Sequence, residues 1–354
     1  MTKYQDIARQ LRRQLLSGQI PLHAALPSDN QIMKRFQVSR ATARHAIDVL
    51  VREGLVVRRK GSGTYPVAGV GMSFGKRLLR KERIPVFVPM EYPVRRVGHS
   101  FYGDLLSQLI VMANENGLHL QPVSVVPPFS QDDFALIEKA RLAVVFGDIF
   151  LKVPLVWWRK HRLLMLDAAI PPGYDAPAVS VSPDHRKAGY TAVKILLERG
   201  AQHLAFIGEP HPNYQLRFAG FCEALAHYGK ELNPQWCFMD RGEAMRVIVD
   251  HVDAIDAVCC ASDTMAVHLL QECLAHGIRV PDDLGVVSID GTPLCQITRP
   301  SLCAVAIDRG MFARKAIEAV SLLLAMRDET CAKHIEVPFE FWEGESLPAH
   351  FPES

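Results

Sequence analysis

The chain has little that would indicate a secreted, metal-binding or membrane protein. Its eight cysteines include no C-x-x-C pair and its 14 histidines show no ligand spacing, so we expect no disulfide framework and no metal site. No apolar run approaches the length that spans a bilayer, and the polar N-terminus lacks the apolar core of a signal peptide. These absences predict a cytoplasmic protein that does not enter a membrane and needs no cofactor.

The chain offers little support for an enzyme. The segment GVGMSFGK fails as a phosphate-binding loop. The first glycine of that motif would fall on Val70, and the position that requires Ser or Thr holds Arg77. We therefore do not expect an enzyme.

Charge is distributed unevenly along the chain. Residues 1–83 contain 17 Lys and Arg against 5 Asp and Glu, a net charge of +12, although the whole chain of 354 residues carries only +2. The remainder therefore has a net charge of −10. A basic N-terminal region suits contact with a polyanion, and an acidic body does not. A chain of this length is also expected to form two or three domains.

Residues 39–52 predict a helix that could enter the major groove of DNA. Ser39 can cap its N-terminus, and the apolar positions recur with helical spacing at Ala43, Ala46, Ile47 and Leu50. Arg40 and Arg44 lie one turn apart on a different face, beside Thr42. Arginine can donate two parallel hydrogen bonds to a guanine edge, so this face is a candidate for reading base sequence.

The flanking segments predict a winged helix-turn-helix. Ser28 and Gln31 have the spacing of a capping box at the start of a shorter helix, and residues 4–15 carry the apolar stripe of a first helix. After Gly54, residues 55–57 predict a strand, residues 58–64 a basic turn and residues 65–67 a return strand. Such a basic wing would contact phosphate or the minor groove.

This N-terminal region resembles the winged helix-turn-helix of the GntR family of bacterial transcription regulators. The motifs LPS, VSR-x-T-x-R-x-A, EGL-V and G-x-GT occur in the family's order within residues 26–65. The resemblance and the basic wing together assign DNA contacts to Ser28, Arg40, Thr42, Arg44, Arg58, Lys60 and Gly63. We expect a DNA-binding domain over residues 1–67 and a basic linker over residues 68–83.

From residue 84 onward, short apolar strands alternate with amphipathic helices in two successive series. This pattern predicts an α/β fold in which two similar lobes each contain a parallel sheet, spanning residues 84–354. Strands are predicted at 84–90, 118–126, 141–148, 161–169, 176–182, 203–208, 254–262 and 284–290, and helices at 101–116, 184–199, 215–228, 243–250 and 264–276.

Polar residues at strand ends mark the expected ligand pocket, because parallel sheets bind ligands outside the carboxyl ends of their strands. Carboxylates and one arginine around a cleft can satisfy several hydroxyl groups at once, as a sugar or nucleoside requires. The candidates in the second series are Asp184, Glu209, Arg217, Ser262, Asp263 and Asp290, and those in the first are Glu91, His99, Phe101, Tyr102 and Asp148.

The body resembles the effector domain of the LacI family, which is similar to periplasmic sugar-binding proteins. The resemblance rests on VSVSPDHRKAGY, on R-x-x-G-F at residues 217–221 and on AVCCASDTMAVHLLQECLAHGIRVPDDLGVVSID. It implies ligand contacts at Asp184, Arg217, Ser262, Asp263 and Asp290, and dimerisation through this domain. Where the family often has a stacking aromatic residue this chain has MDRGEAM, so Tyr102, Phe150 or Tyr214 could take that role.

Structural roles are open for several of these residues. Asp290 could cap the following turn, Asp184 could cap a helix, and Arg217 could pair with Glu209 at the surface. Trp157 and Trp158 are expected in a core or an interface instead of the ligand site.

A GntR-type head on a LacI-type body resembles the arabinose-responsive class of bacterial repressors. The resemblance implies a dimeric repressor that binds a two-fold DNA operator and responds to a small sugar or related polyol. Two other classes are alternatives: a sugar hydrolase that uses paired carboxylates in the cleft, and a sugar-binding protein whose head serves only for assembly. Steep salt dependence of DNA binding would favour the regulator over the second alternative.

Overall fold

The structure is a computed structural model. It describes residues 3–16, 20, 24–53, 55–59, 62–66, 83–89, 101–125, 131–147, 158, 161–325 and 332–352. Several residues singled out by the sequence lie outside the described residues, namely Gly54, Lys60, residues 68–82 of the linker, Glu91, His99, Asp148, Phe150 and Trp157.

The N-terminal domain is a three-helix unit followed by a β-hairpin. Its elements are α1 (Lys3–Leu16), α2 (Asp29–Phe36), α3 (Arg40–Arg52), β1 (Val56–Arg59) and β2 (Gly63–Pro66). The predicted apolar faces form one core, in which Leu11, Ile32, Ile47 and Leu50 are fully buried. The capping box of Ser28 and Gln31 is present, and Gln37 adopts the left-handed φ of 49° that turns the chain from α2 towards α3.

The wing is longer than the sequence indicates. β1 continues to Arg59, so Arg58 and Arg59 lie in a strand opposite Thr64 and Gly63 and not in the turn. The prediction of a turn over residues 58–64 was wrong because it treated two consecutive arginines as loop residues. On an exposed two-stranded ribbon, both arginines remain compatible with strand geometry.

The body contains strands and helices that alternate along most of its described length. In chain order they are β3 (Arg83–Pro89), α4 (Phe101–Glu115), β4 (His119–Val125), α5 (Gln131–Lys139), β5 (Leu142–Phe146), β6 (Arg162–Leu166), β7 (Ala178–Pro183), α6 (His185–Glu198), β8 (Leu204–Ile207), α7 (Pro212–His227), β9 (Cys237–Phe238), α8 (Arg241–Asp250), β10 (Ala257–Cys260), α9 (Asp263–Ala275), β11 (Gly285–Asp290), α10 (Leu294–Ile297), β12 (Cys303–Ile307), α11 (Arg309–Ala325), β13 (Ala332–Val337) and β14 (Phe339–Trp342). Among these described elements, strands are consecutive at β5–β7 and at β13–β14. Single-turn 3₁₀ helices occupy Pro234–Trp236 and Val252–Ala254.

These strands form two sheets, which define two lobes. Within the described residues, lobe one has the strand order β4-β3-β5-β6-β7-β13 and lobe two the order β9-β8-β10-β11-β12-β14. All neighbouring strands run parallel except β12 and β14, which are antiparallel. Each lobe has its own apolar core, as βαβ units with helices against the sheet require.

The chain crosses between the lobes three times in the part that the structure describes. It passes from β7 to α6, returns from β12 to α11, and passes again from β13 to β14 with Pro338 alone between the two strands. Helix α11 packs on lobe one through Phe312, Ala316 and Val320. Residues next to these crossings can therefore contact both lobes at once.

The predicted α/β fold with parallel sheets is confirmed. Helix α7 begins at Pro212, earlier than the predicted residue 215, because His211 caps it and proline fits the first helical turn. Arg83, predicted to end the linker, lies in β3. Trp158 is fully buried and packs edge-on against Phe87 at 5.4 Å, in the core as expected.

Two further expectations concern absences. Across the described ranges, no helix is both long and apolar enough to cross a membrane. The same residues contain no group of three or more His, Cys, Asp or Glu side chains placed to hold a metal ion.

Candidate functional site

Four buried ionisable side chains meet where the two lobes join. Asp167 follows β6 in lobe one, His185 begins α6, Arg217 projects from α7, and Asp290 ends β11. Their exposed fractions are 4%, 3%, 2% and 8%, respectively. Polar groups withdrawn from water to this degree are costly unless they are paired, and here each contacts another.

Arg217 is held on several sides. Its Nη1 lies 2.9 Å from Oδ1 of Asp290 and donates to the carbonyl oxygens of Ala261 and Ile289, the latter at 3.3 Å. Nε and Nη2 both lie 3.2 Å from Nδ1 of His185. The guanidinium also lies 5.5 Å from the ring centroid of Tyr214. Burial alone lowers the pKa of Arg217, but Asp290, Tyr214 and Asp167 together outweigh it and raise that pKa, so the group stays charged.

Asp167 accepts hydrogen bonds from both lobes. Tyr102 of lobe one donates to Oδ2 at 2.8 Å, while Asn213 Nδ2 of lobe two donates to the same oxygen at 2.8 Å. His185 Nε2 lies 2.9 Å from Oδ1. Burial alone would raise the pKa of Asp167, but His185, Arg217 and Tyr102 lower it to about 2. Asp167 is therefore an ionised carboxylate that connects the lobes.

Close packing of two helices brings His185 and Arg217 together. A Cβ added to Gly220 would lie 1.9 Å from the carbonyl oxygen of Arg186, and one added to Gly189 would lie 2.0 Å from that of Arg217. Only glycine permits this approach of α6 and α7. The R-x-x-G-F motif thus combines the buried arginine with the glycine that lets its helix approach α6.

Asp290 faces the cleft from an uncommon backbone conformation. Its φ of 145° lies in a region that residues with side chains rarely adopt, and its carbonyl oxygen accepts a hydrogen bond from Arg309 Nη1 at 3.2 Å. Burial raises the pKa of Asp290 to about 7, with Asp263 and Asp167 adding to the effect and Arg217 opposing it. The carboxyl group can therefore change its protonation state near neutral pH.

Arg309 joins the lobes at a second place. It lies at the crossing into α11, and its Nε donates to Oδ2 of Asp104 on α4 of lobe one. Through the Asp290 carbonyl it also contacts the end of β11 in lobe two. The carboxyl end of β11 is thus tied to a lobe-one helix.

Asp263 and Ser262 have structural contacts. Asp263 accepts from Ser288 Oγ at 2.6 Å and from the backbone N–H of Thr292 at 2.5 Å, which fixes the turn after Asp290. Ser262 caps α9 through the N–H of Met265 at 3.4 Å. The turn that Asp290 was thought able to cap is therefore held by Asp263.

The structure brings some predicted ligand residues together and separates others. Arg217 and Asp290 are paired, and Tyr102 reaches the same network through Asp167. Asp184 instead caps α6, where it accepts from the N–H of Lys187 at 2.9 Å. Glu209 lies 4.0 Å from Arg241, so the suggested surface pair of Arg217 with Glu209 was wrong.

The aromatic candidates differ in position. Phe101 packs against Tyr102 and Phe312, with ring centroids 5.7 and 6.2 Å apart, in the lobe-one core. Tyr102 and Tyr214 contact members of the buried network, so both remain candidates for the aromatic contact of a ligand.

Asp167, His185 and Asn213 were not among the residues predicted from the sequence. Asp167 lies two residues inside the end of the predicted strand 161–169, so the strand-end rule that selected Asp290 passed over it, while His185 directly follows the selected Asp184. His185 differs from Asp184 because it is the first residue of the helix and points inward, whereas Asp184 is the cap. Asn213 falls outside the predicted helix and carried no signal.

The N-terminal domain presents the predicted basic face. Arg40 and Arg44 of α3 are exposed, and Thr42 Oγ1 lies 2.9 Å from Ser39 Oγ at the helix start. Arg58 of the wing forms a 2.8 Å ion pair with Asp48 of α3. Arg59 of the wing places its guanidinium 5.0 Å from the Tyr65 ring centroid. Gly63 begins β2 with a φ of 124°, and Ser28 is exposed at the cap of α2.

Two family models match the chain, one for each part. Residues 3–65 match the bacterial regulatory proteins of the gntR family, and residues 193–347 match the periplasmic binding protein-like domain. The chain therefore combines a DNA-binding domain of the gntR type with a periplasmic binding protein-like body, which is the organisation of a transcription regulator.

One known protein is similar to nearly the whole of this regulator, and another to about half of it. The arabinose metabolism transcriptional repressor of Halalkalibacterium halodurans is 25% identical over 89% of this chain and 88% of its own length. The HTH-type transcriptional repressor CytR of Escherichia coli strain K12 is 28% identical over 46% of this chain and 48% of CytR. These relatives are regulators and not enzymes, which agrees with the expectation that the chain is no enzyme.

Solved structures share the fold of the regulator. A LacI family transcriptional regulator from Mycobacterium smegmatis has a TM-score of 0.63 at 22% identity, covering 75% of this chain and 99% of that one. The complex of the transcriptional regulator CelR with cellobiose has a TM-score of 0.62 at 20% identity, covering 88% and 92%.

Proposed function

We propose that this regulator is a repressor that acts as a homodimer in the cytoplasm and is controlled by a small sugar or related polyol bound between its lobes. The proposal rests on one observation above all: the pair Arg217–Asp290 is buried at the carboxyl ends of the lobe-two strands, beside a lobe-one carboxylate. That is where parallel sheets bind ligands.

The buried charged groups around Arg217 and Asp290 favour a ligand with hydroxyl groups. An ionised carboxylate has about four lone-pair directions. Asp290 uses Oδ1 for Arg217, so the group retains acceptor capacity for ligand hydroxyls. A ligand that leaves such buried groups unpaired would bind much more weakly, which supplies selectivity among polyols. The printed names of two similar proteins, an arabinose repressor and a cellobiose complex, agree with a sugar effector.

Control of DNA binding would follow from a change in the relation of the lobes. An effector shifts the equilibrium only as far as it binds one arrangement better than the other, and couplings of roughly 1–3 kcal/mol are typical. In a dimer, a change between the lobes alters the separation of the two DNA-binding domains and so their fit to two half-sites.

The assigned DNA contacts divide by their function. Arg40, Thr42 and Arg44 on α3 would read bases in the major groove, while Ser28 and the wing residues Arg58, Lys60 and Gly63 would contact the backbone or minor groove. Such binding weakens steeply with salt because phosphate contacts release counterions.

A ligand screen tests the effector class directly. The full chain is heated with L-arabinose, D-xylose, D-ribose, D-glucose, cellobiose, cytidine and adenosine, and a bound ligand raises the melting temperature. We expect at least one sugar or nucleoside to raise it and to change binding to DNA from the regulator's own promoter. No shift with any of them would contradict the polyol proposal.

A further inference from the structure

His185 lies between the lobe-one carboxylate and the lobe-two guanidinium. Its Nε2 is 2.9 Å from Oδ1 of Asp167, and its Nδ1 is 3.2 Å from both Nε and Nη2 of Arg217. All three side chains are at least nine-tenths buried. The imidazole ring is thus a direct connection between Asp167 and the pair Arg217–Asp290.

The partners determine the protonation state of the ring. Arginine N–H groups can only donate, so Nδ1 must present its lone pair to Arg217. A neutral ring then carries its proton on Nε2, and this N–H donates to Asp167. Burial lowers the pKa of His185, Arg217 lowers it further, and Asp167 opposes both.

A second proton would disrupt this arrangement. It would have to go on Nδ1, which faces the guanidinium of Arg217, and would replace an accepted hydrogen bond by a contact between two cations. The charged and titratable groups that face the ring are Asp167 after β6, Arg217 on α7 and Asp184 at the cap of α6. Tyr102 and Asn213 occupy the other oxygen of Asp167 and leave Oδ1 to His185.

We infer that His185 is the positioning residue of the effector site: as a neutral Nε2–H imidazole it orients Arg217 towards Asp290 and links that pair to lobe one through Asp167. The role of His185 in effector binding rests on the proposed function. The link that His185 makes between Arg217 and Asp167 does not depend on that function. The position requires an acceptor towards Arg217 and a donor towards Asp167, and the imidazole provides both on one small rigid group.

Two variants separate this role from simple packing. His185→Gln keeps one acceptor and one donor on its amide but cannot titrate, whereas His185→Leu fills the site with an apolar side chain that can do neither. Melting temperatures of both variants identify any general loss of folding. Sugar affinity is measured with whichever member of the seven-compound panel shifts the melting temperature of the wild-type chain.

We expect His185→Gln to bind that compound within about threefold of the wild-type chain and His185→Leu to bind it at least about tenfold more weakly, since unpaired buried polar groups are costly. As the pH falls through the pKa of His185, which burial places below the ordinary value of 6.5, the wild-type affinity should fall relative to that of His185→Gln. Titration of Asp290 affects the wild-type chain and His185→Gln alike, so it cancels in the ratio of their two affinities at each pH. Equal weakening by both variants, or none by either, would overturn the inference.

A second measurement needs no effector. In the full chain labelled with ¹⁵N-histidine, the signals absent from His185→Gln belong to His185. They should show a neutral ring protonated on Nε2 at pH 7. A ring protonated on Nδ1, or on both nitrogens, would overturn the inference. If no compound of the panel binds, the proposal of a polyol effector is refuted. The protonation state of the ring still decides whether His185 links Arg217 to Asp167.

Discussion

Nη1 of Arg217 lies 2.9 Å from Oδ1 of Asp290, and the two side chains are only 2% and 11% exposed. A buried pair of this kind is not a strong source of stability, because desolvation offsets much of the attraction. Removing one partner is costly, however, since the other charge stays buried. A role in ligand binding therefore explains the buried pair Arg217–Asp290 better than a role in folding does. Substitution of Asp290 tests this explanation.

Replacing Asp290 should separate effector response from DNA binding. Asp290→Asn keeps an oxygen that can accept from Arg217 but loses the negative charge. We expect at least about a tenfold loss of sugar affinity, near 1.4 kcal/mol, with DNA affinity retained. Asp290→Ala should abolish the response. Titrations of sugar against the DNA complex measure both, and an unchanged response curve would remove Asp290 from the site.

The pKa values of the two network carboxylates predict opposite effects of pH on stability. The folded pKa of Asp290 is about 7, above the unfolded value near 3.9, so its contribution is full in acid and is lost as pH rises through 7. We expect the melting temperature of the wild-type chain to fall relative to that of Asp290→Asn between pH 5 and pH 8. A constant difference would contradict this.

The contribution of Asp167 to stability should change with pH in the opposite direction to that of Asp290. Its folded pKa is about 2, below the unfolded value, so its contribution is present above pH 4 and is lost as pH falls towards 2. Asp167→Asn should therefore lower stability at pH 7 by about 2 kcal/mol and show a smaller difference from wild type in acid. Equilibrium unfolding in urea at several pH values measures both carboxylates.

Local sequence information was sufficient for the DNA-binding helix. The cap at Ser39 and the apolar spacing from Ala43 to Leu50 depend on residues within one helix, so their prediction needed no tertiary contacts. The repeated strands of the body were predictable for the same reason. No element after β11 was predicted, and the return of α11 and β13 to lobe one, after lobe two in the chain, could not be read from local spacing.

The buried network depends on contacts between residues that are distant in the sequence. Strand ends indicated the edge of the sheet at which this network lies, but they could not distinguish Asp290, which faces Arg217, from Asp263, which fixes a turn. The difference between Asp184 and His185 is a single helical position. Asp167 and His185 become recognisable as a pair only when β6 and α6 are placed side by side.

Helix spacing at the site can be tested through a glycine. An alanine at Gly220 would place its Cβ 1.9 Å from the Arg186 carbonyl oxygen, so α7 would have to move away from α6 and take Arg217 from His185. We expect a loss of stability of at least about 2 kcal/mol and weaker sugar binding. The control is Gly242→Ala in α8, where the nearest atom is 3.4 Å away and alanine should favour the helix.

Arg44 tests how the regulator reads DNA. It is exposed near the start of α3, where a guanidinium can reach a base edge, whereas Arg52 is exposed at the other end of the same helix. Arg44→Ala should cost about 1–3 kcal/mol on operator DNA and relax the base preference at one position, with sugar affinity unchanged. Arg52→Ala removes the same charge from the same helix and should have a much smaller effect, the same on all sequences. Fluorescence anisotropy with operator, single-base variants and random duplex distinguishes the cases. Equal loss by Arg44→Ala on operator and random DNA would mean that Arg44 contacts phosphate alone, because a phosphate contact is blind to the base beside it.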